Sequence, residues 1–264
     1  MPPKLPISVF IIAKNEADRI SHTIKSVRDW VDEVIVIDSG SSDETIVVSE
    51  TLGARTVWNA WQGYGPQKVF GESLCKNDWL LNLDADEEVS SELAEEVQSL
   101  FKAGEPDRKG YILKIKALYR FQKTLPKWAP GTRQLRLYHK KYAGFKDSTV
   151  HDSVVMKNNQ ETKELDGVVI HRCFRSYTHA TEKINFYTSM QAEDLFKRGV
   201  RFSSAFLIIT PFISFFKCYF LRKYFLYGVD GFIQSCIYAF NRLLRLAKLR
   251  ELWQEHEHVQ MKID

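Results

Sequence analysis

The sequence predicts an α/β fold with a mostly parallel sheet, and two features of its first hundred residues predict it. Short apolar runs alternate with stretches of helical periodicity, and each run ends abruptly in polar residues. Ile7-Ser8-Val9-Phe10-Ile11-Ile12-Ala13 has the β-branched, near-continuous apolar character of a strand covered on both faces, and it stops at Lys14-Asn15-Glu16. A helix follows with Ile20, Ile24 and Val27 on one face. Val34-Ile35-Val36-Ile37 reads as a second strand, running into Asp38-Ser39-Gly40-Ser41-Ser42-Asp43 and a helix closed by Gly53. A third strand spans about Arg55 to Trp58, Pro66 suits the first helical position after it, and Trp79-Leu80-Leu81-Asn82-Leu83 makes a fourth strand. The pattern β-α-β-α-β-α-β implies right-handed crossovers.

In open parallel sheets ligands bind beyond the carboxyl ends of the strands, and that is where Lys14-Asn15-Glu16, Asp38 to Asp43 and Asp84 to Glu88 fall. Asp84 and Asp86 are two residues apart, so in an extended segment their side chains share one side of the backbone and can converge on a hard cation. Oxygen donors suit Mg2+ or Mn2+, which keep open positions for phosphate oxygens. Alternatively, the acids are the first turn of the next helix, favoured by its dipole. Ser90 or Ser91 can cap a helix carrying Leu93, Val97, Leu100 and Phe101 and ending near Gly104. That helix accounts for Glu92, Glu95 and Glu96, but Asp84 and Asp86 precede its cap. No G-x-G-x-x-G follows the first strand and no G-x-x-x-x-G-K-[ST] occurs, which disfavours a dinucleotide oxidoreductase or a P-loop NTPase. A cleft with carboxylates at its base suits a nucleotide diphosphate presented through a metal.

At 264 residues with 44% apolar content, the chain is long enough for one large domain or one domain with a helical annex. Cys75, Cys173, Cys218 and Cys236 form no C-x-x-C pair, so neither a zinc knuckle nor a disulfide framework is expected. The apolar segment after Pro6 is too short for a signal peptide, and a cytoplasmic protein is the expectation. Net charge is +4 but unevenly spread: residues 1–100 hold 8 Lys/Arg against 18 Asp/Glu, residues 201–250 hold 8 against 1. The basic C-terminal part points to an anionic surface, and no nucleic-acid partner is expected.

Taken together, Ile11-Ile12-Ala13-Lys14-Asn15-Glu16, Val36-Ile37-Asp38-Ser39-Gly40-Ser41-Ser42-Asp43, Gly63-Tyr64-Gly65-Pro66-Gln67-Lys68 and Leu83-Asp84-Ala85-Asp86-Glu87-Glu88 resemble inverting glycosyltransferases of family 2, which have the GT-A fold. More closely they resemble the lipopolysaccharide core-biosynthesis β-glucosyltransferase branch. The likeness is strong over residues 7 to about 100 and thinner through Arg136-Leu137-Tyr138 and Val150-His151-Asp152. It implies transfer of a sugar, glucose in that branch, from a donor such as UDP-glucose to a lipid-linked glycan, with Mg2+ or Mn2+. It further implies that Ala13, Asn15, Glu16 and Asp38 hold the nucleoside, that Asp86 binds metal with Asp84 supporting, and that Lys68 touches the base or diphosphate. Lys68 could equally be a solvated helix residue. Asp152 stands where the family usually has Glu and would take the proton from the acceptor hydroxyl; it is one methylene shorter. His151 would orient that base, bind phosphate or be structural, and His171 matches a metal or diphosphate position.

Beyond Gly104, Tyr111 to Ile115, Gln134 to His139 and Val168 to Ile170 read as strands shaping the acceptor side, and Phe121 to Arg133 as a loop. Trp128 in that loop is a sugar platform or ordinary packing. The expected division is a catalytic domain, 1–180, with a nucleotide half, 1–104, and an acceptor half, 105–180, followed by a helical basic extension, 181–264. Within 202–226 an uncharged run interrupted by Pro211 is short for a bilayer span. It would lie in the membrane interface, on the cytoplasmic face of the inner membrane, or pack against protein. A last helix is expected from about Tyr227 to Trp253. Two functions of other kinds stay open: a nucleotide-sugar-binding protein without catalysis, and a membrane-surface scaffold.

Overall fold

A computed structural model describes residues 3–119, 122–126, 128–146, 153–157, 161–172 and 174–260. The chain folds as two units, Met1–Leu118 with Gly131–Cys173 and Tyr119–Pro130 with Phe174–Asp264. In the first unit, β1 (Leu5–Ala13), β2 (Val31–Asp38), β3 (Arg55–Trp58) and β4 (Trp79–Asp84) are joined by α1 (Ile20–Val27), α2 (Thr45–Thr51) and α3 (Tyr64–Leu74). β5 (Glu87–Val89), α4 (Ser91–Leu100), β6 (Gly110–Ala117), β7 (Gly131–His139) and β10 (Lys163–His171) complete an eight-stranded sheet of order β3-β2-β1-β4-β7-β6-β10-β5. β3, β2, β1 and β4 are parallel, β7 runs against both β4 and β6, and β5 runs against β10. The parallel half is the one foreseen from the alternation of strands and helices.

Strand period fixes the two faces. Ile7, Val9 and Ile11 of β1, Val34 and Val36 of β2 and Trp79, Leu81 and Leu83 of β4 pack with Ile20 and Ile24 of α1 and Leu93 and Val97 of α4. The intervening Phe10, Ile35, Ile37 and Leu80 pack on the opposite side with Phe70 and Leu74 of α3. Burial of each such side chain contributes about 1.5–3 kcal/mol, which is why these strands carry almost no polar residues. Helix ends follow their signals: Ser90 accepts a hydrogen bond from the Leu93 amide at 3.2 Å, and Gly53 takes φ +87° just beyond α2. Pro66 falls in the first turn of α3 rather than at its first residue.

Two elements depart from the sequence reading. Glu87–Val89 is a strand, not an acidic connection, and it pairs with β10 so that His171 lies opposite Glu87. β8 (Ala143–Phe145) and β9 (Val154–Met156) form a separate two-stranded sheet, too short to leave a pattern. In the second unit, α5 (Tyr177–Lys197), α6 (Ser204–Phe216) and α7 (Val229–Gln260) pack together, with α6 running on through Pro211 and continuing as a π-helical turn, Lys217–Leu221. The last helix extends past Trp253. A small cluster of Tyr119, Ala129 and Tyr227 explains why residues 119–130 belong with these helices.

β10 meets α4 with no room to spare: a Cβ added at Gly167 would lie 2.4 Å from Leu93 Cα and 2.6 Å from its amide nitrogen. Backbone atoms cannot rotate away, so Gly167→Ala is expected to destabilise the protein by about 1–3 kcal/mol in chemical denaturation.

Candidate active site

The alternation that builds the core also delivers charge to the sheet's carboxyl edge. Leu80 of β4 faces Tyr138 of β7, so one pleat further on Asn82 arrives beside Arg136, and the next residue on that face is Asp84. Arg136 is buried and donates to Asn82 Oδ1, to Asp84 Oδ2 at 3.0 Å and to Glu87 Oε1 at 3.1 Å. From α3, the ammonium of Lys68, itself 1% exposed, reaches Asp84 Oδ1 at 3.0 Å. Glu87, also buried, accepts from the Asp84 amide at 2.9 Å. Two buried cations thus balance the buried Glu87 and the partly exposed Asp84, as buried charges must be balanced. Burial works against the charge of Asp84, but Arg136 and Lys68 outweigh it and hold that carboxyl well below the usual range. Burial pushes Glu87 up, against the pull of Arg136.

Asp86 follows in the turn after β4, so the segment is not extended through both aspartates and they take different partners. Asp86 Oδ2 meets Arg19 Nη1 at 3.0 Å and His171 Nε2 at 3.2 Å. Arg19 also donates to both carboxylate oxygens of Glu16, at 2.6 and 3.1 Å, and so ties the loop after β1 to the loop after β4. Pairing of β5 with β10 supplies His171, and the Arg172 amide donates to the Asp86 carbonyl at 2.8 Å. Burial opposes ionisation of Asp86, but His171 and Arg19 lower its pKa; burial opposes protonation of His171, but Asp86 raises it.

The other sequence-predicted residues line the first two loops. Asn15 sits at φ 55°, its amide donating to Ser41 Oγ at 2.9 Å and its Oδ1 accepting from the Ser42 amide at 2.8 Å. The Glu16 amide donates to Thr45 Oγ1 at 2.8 Å, and the Ala13 carbonyl accepts from the Ser39 amide at 3.0 Å. Asp38 is 1% exposed, and its carboxylate closes its own loop by accepting from the Gly40 and Ser41 amides at 2.8 and 2.9 Å and from the Ser41 hydroxyl. Beside these loops lies a cleft of about 290 Å³, lined by Ile12, Ala13, Lys14, Glu16 and Ser39 and flanked by Trp61 and Tyr64, whose rings meet edge to face. Residue 152, expected as the base, and His151 lie outside the described residues. Trp128 is 69% exposed.

Among the described residues no three His, Cys, Asp or Glu side chains gather into a closed metal-binding set. Asp86 with His171 would instead provide two donors to an open site, and such a site fits an ion that takes its remaining ligands from a diphosphate. Glu87 and Arg136 stand in motif stretches that gave them no role, and Arg19 and Trp61 carry no motif by which the sequence could be read for them. For Arg19 the Glu16-to-Arg19 spacing on a helix start is the trace the sequence offers.

The sequence model of glycosyl transferase family 2 matches residues 8–156. An uncharacterized glycosyltransferase of Rickettsia typhi is 45% identical over 254 residues, 93% of this chain and 87% of that protein. The lipopolysaccharide core biosynthesis glycosyltransferase LpsC of Rhizobium meliloti is 30% identical over 264 residues, 97% of this chain and 95% of that protein. Among solved structures, S. aureus TarS 1–349 aligns over 96% of this chain and 92% of that one, at 14% identity and a TM-score of 0.45. The chain belongs to glycosyl transferase family 2: it is a glycosyltransferase with the GT-A sheet and C-terminal helices.

Two outcomes follow from the charge pairing. Arg136→Met strands the buried Glu87 and leaves the partly exposed Asp84 to Lys68 alone, and the expected loss is about 3–5 kcal/mol of unfolding free energy at neutral pH. His171 has a raised pKa in the folded state, so its pairing with Asp86 contributes stability that is complete below its unfolded value of about 6.5 and is lost as pH rises through the folded value. The stability gap between wild type and His171→Gln is therefore expected to be widest near pH 6 and to shrink towards pH 9 in a denaturation series.

Proposed function

We propose that this glycosyltransferase moves glucose from a nucleotide diphosphate donor of the UDP-glucose type to a hydroxyl of a lipid-linked glycan, such as a lipopolysaccharide core, inverting the anomeric centre. The observation that supports the reading is the Arg19 bridge: it joins Glu16, which lines the cleft beside the first loops, to Asp86 of the acidic edge. The acceptor class is supported by the full-length likeness to the Rhizobium meliloti protein whose name gives it a role in lipopolysaccharide core biosynthesis.

In this reading the loops at Ala13 to Glu16 and Asp38 to Ser42 hold the nucleoside, with Trp61 and Tyr64 offering aromatic faces at the mouth. Asp86 and His171 hold Mg2+ or Mn2+, which when bound would supply positive charge for the departing diphosphate. Asp84, locked between Lys68 and Arg136, keeps the acidic edge rigid, so little reorganisation is needed as charge develops. Asp152, by its motif position, would take the proton of the acceptor hydroxyl as that oxygen attacks the anomeric carbon opposite the departing diphosphate, and inversion follows from that line of attack.

A thermal-shift panel of nucleotide sugars with and without Mn2+ tests the donor, because only ligands of the folded state raise the midpoint. UDP-glucose with Mn2+ is expected to give the largest rise. Asp86→Ala is expected to lose that metal-dependent rise and at least about a hundredfold in turnover. Near-normal transfer by the variant overturns the assignment, and donor binding without hydrolysis or transfer by the wild type points to a protein that only binds.

A further inference from the structure

The second unit carries an apolar surface that none of its described residues covers. Ser204–Leu221 is a continuous helical stretch of 18 residues, long and apolar enough to cross a membrane by composition, and little of it is buried. Phe206, Ile209, Ile213, Phe216 and Phe220 repeat at three- and four-residue spacing along one side of it, with Ile208 and Phe212 beside them, and all are exposed. The opposite side belongs to α7: Ser214 and Cys218 are buried, and Cys218 meets Ser235. The surface continues over Leu221, which is 78% exposed, Phe225, and then Val229, Phe232 and Phe240 of α7. Stacked and edge-to-face contacts, Phe216 on Phe220 at 5.6 Å and Phe215 on Phe232 at 5.6 Å, hold the rings as one sheet of aromatic surface.

Charge identifies what covers it. Lys217, Arg222 and Lys223 are exposed within this apolar field, while Asp230, the one acid between residues 202 and 240, accepts a hydrogen bond from Gln122 at 3.0 Å. A second copy docked through the same face would set these cations against themselves. An anionic lipid surface takes both parts, rings into the acyl boundary and cations to the headgroups.

The packing also sets the depth. α6 lies along α7 in the opposite direction: Phe215 meets Phe232 at one end, and at the other Trp253 Nε1 donates to the Val200 carbonyl at 2.9 Å while Arg201 covers its ring at 4.0 Å. Between those ends α7 carries Arg242, Arg245, Lys248, Arg250 and Glu251, which would all be drawn into hydrocarbon if α6 stood upright. We propose that α6, the turn from Leu221 to Phe225 and the start of α7 lie flat in the surface of an anionic bilayer, embedding the Phe/Ile face without crossing. This rests on the surface itself and does not depend on the donor or acceptor.

The test is flotation of the full-length protein with vesicles of phosphatidylcholine alone or with one third phosphatidylglycerol. At least tenfold more protein is expected on the anionic vesicles at low salt, with the preference shrinking at high salt and the bound protein released by alkaline carbonate. Phe212→Gln with Phe216→Gln is expected to cut binding to anionic vesicles at least tenfold. Lys217→Glu, Arg222→Glu and Lys223→Glu combined are expected to abolish the anionic preference. These positions are exposed, and an unchanged unfolding midpoint checks that each variant folds. Failure to bind either vesicle overturns the proposal. So does resistance to carbonate, which marks a spanning helix, and so does a dimer that the Phe variants dissociate without vesicle binding by the wild type. Vesicle binding by a protein inert towards every nucleotide sugar would leave this surface standing and remove the donor assignment instead.

Discussion

The acidic edge after β4 is tolerable because cations reach its two aspartates from four elements. Lys68 comes from α3, Arg136 from β7, Arg19 from the loop after β1 and His171 from the end of β10, each within 3.2 Å of Asp84 or Asp86. An unpaired buried carboxylate costs several kcal/mol, so any arrangement of these elements that misplaced one cation would be penalised at once. The acidic edge therefore acts on the fold as well as on the chemistry. With β7 antiparallel beside β4 and Tyr138 opposite Leu80, Arg136 falls beside Asn82 and within reach of Asp84.

The same network separates two jobs that a bare Asp-x-Asp leaves merged. Asp84 has both oxygens engaged, one by Lys68 and one by Arg136, and is held ionised below the usual carboxylate range. It can orient and polarise but has little capacity to take a new ligand. Asp86 is held by one guanidinium and one imidazole, both on the same oxygen, Oδ2, in the described contacts. A carboxylate gripped on one oxygen retains lone pairs on the other, and an imidazole can exchange a proton for a metal ion whereas a guanidinium cannot. The asymmetry follows from the turn at Ala85 and Asp86, which swings the second side chain out of the plane of the first.

The parallel half of the sheet was legible because its strands are buried on both faces and write uninterrupted apolar runs. The bounds of β3 and the Ser90 cap could be read from local chemistry alone. β5, β8 and β9 are three residues each, shorter than one period of any pattern that could announce them. Asp84, Asp86 and His171 were legible as motif residues, and the structure brings all three to one edge. Arg19 was not, and Arg136 stood in the thin Arg136-Leu137-Tyr138 likeness without its role, because a single cation carries no local mark of its partner; its meaning is a register, Leu80 against Tyr138, that exists only in the folded sheet.

β5 shows how much such a short element can decide. Three residues, Glu87 to Val89, turn the chain back against β10, and the pairing puts His171 opposite Glu87 and the Arg172 amide on the Asp86 carbonyl. Arg172 then reaches Glu88 at 2.7 Å, so that of three consecutive acids one is buried against Arg136, one faces His171 and one pairs outward. Strand alternation distributes Glu87 and Glu88 to opposite sides, and the turn frees Asp86 from that alternation. Without the pairing the acids would repel one another along an open loop. With it, each meets its own cation, and the described contacts of Asp86 fall on one oxygen, Oδ2.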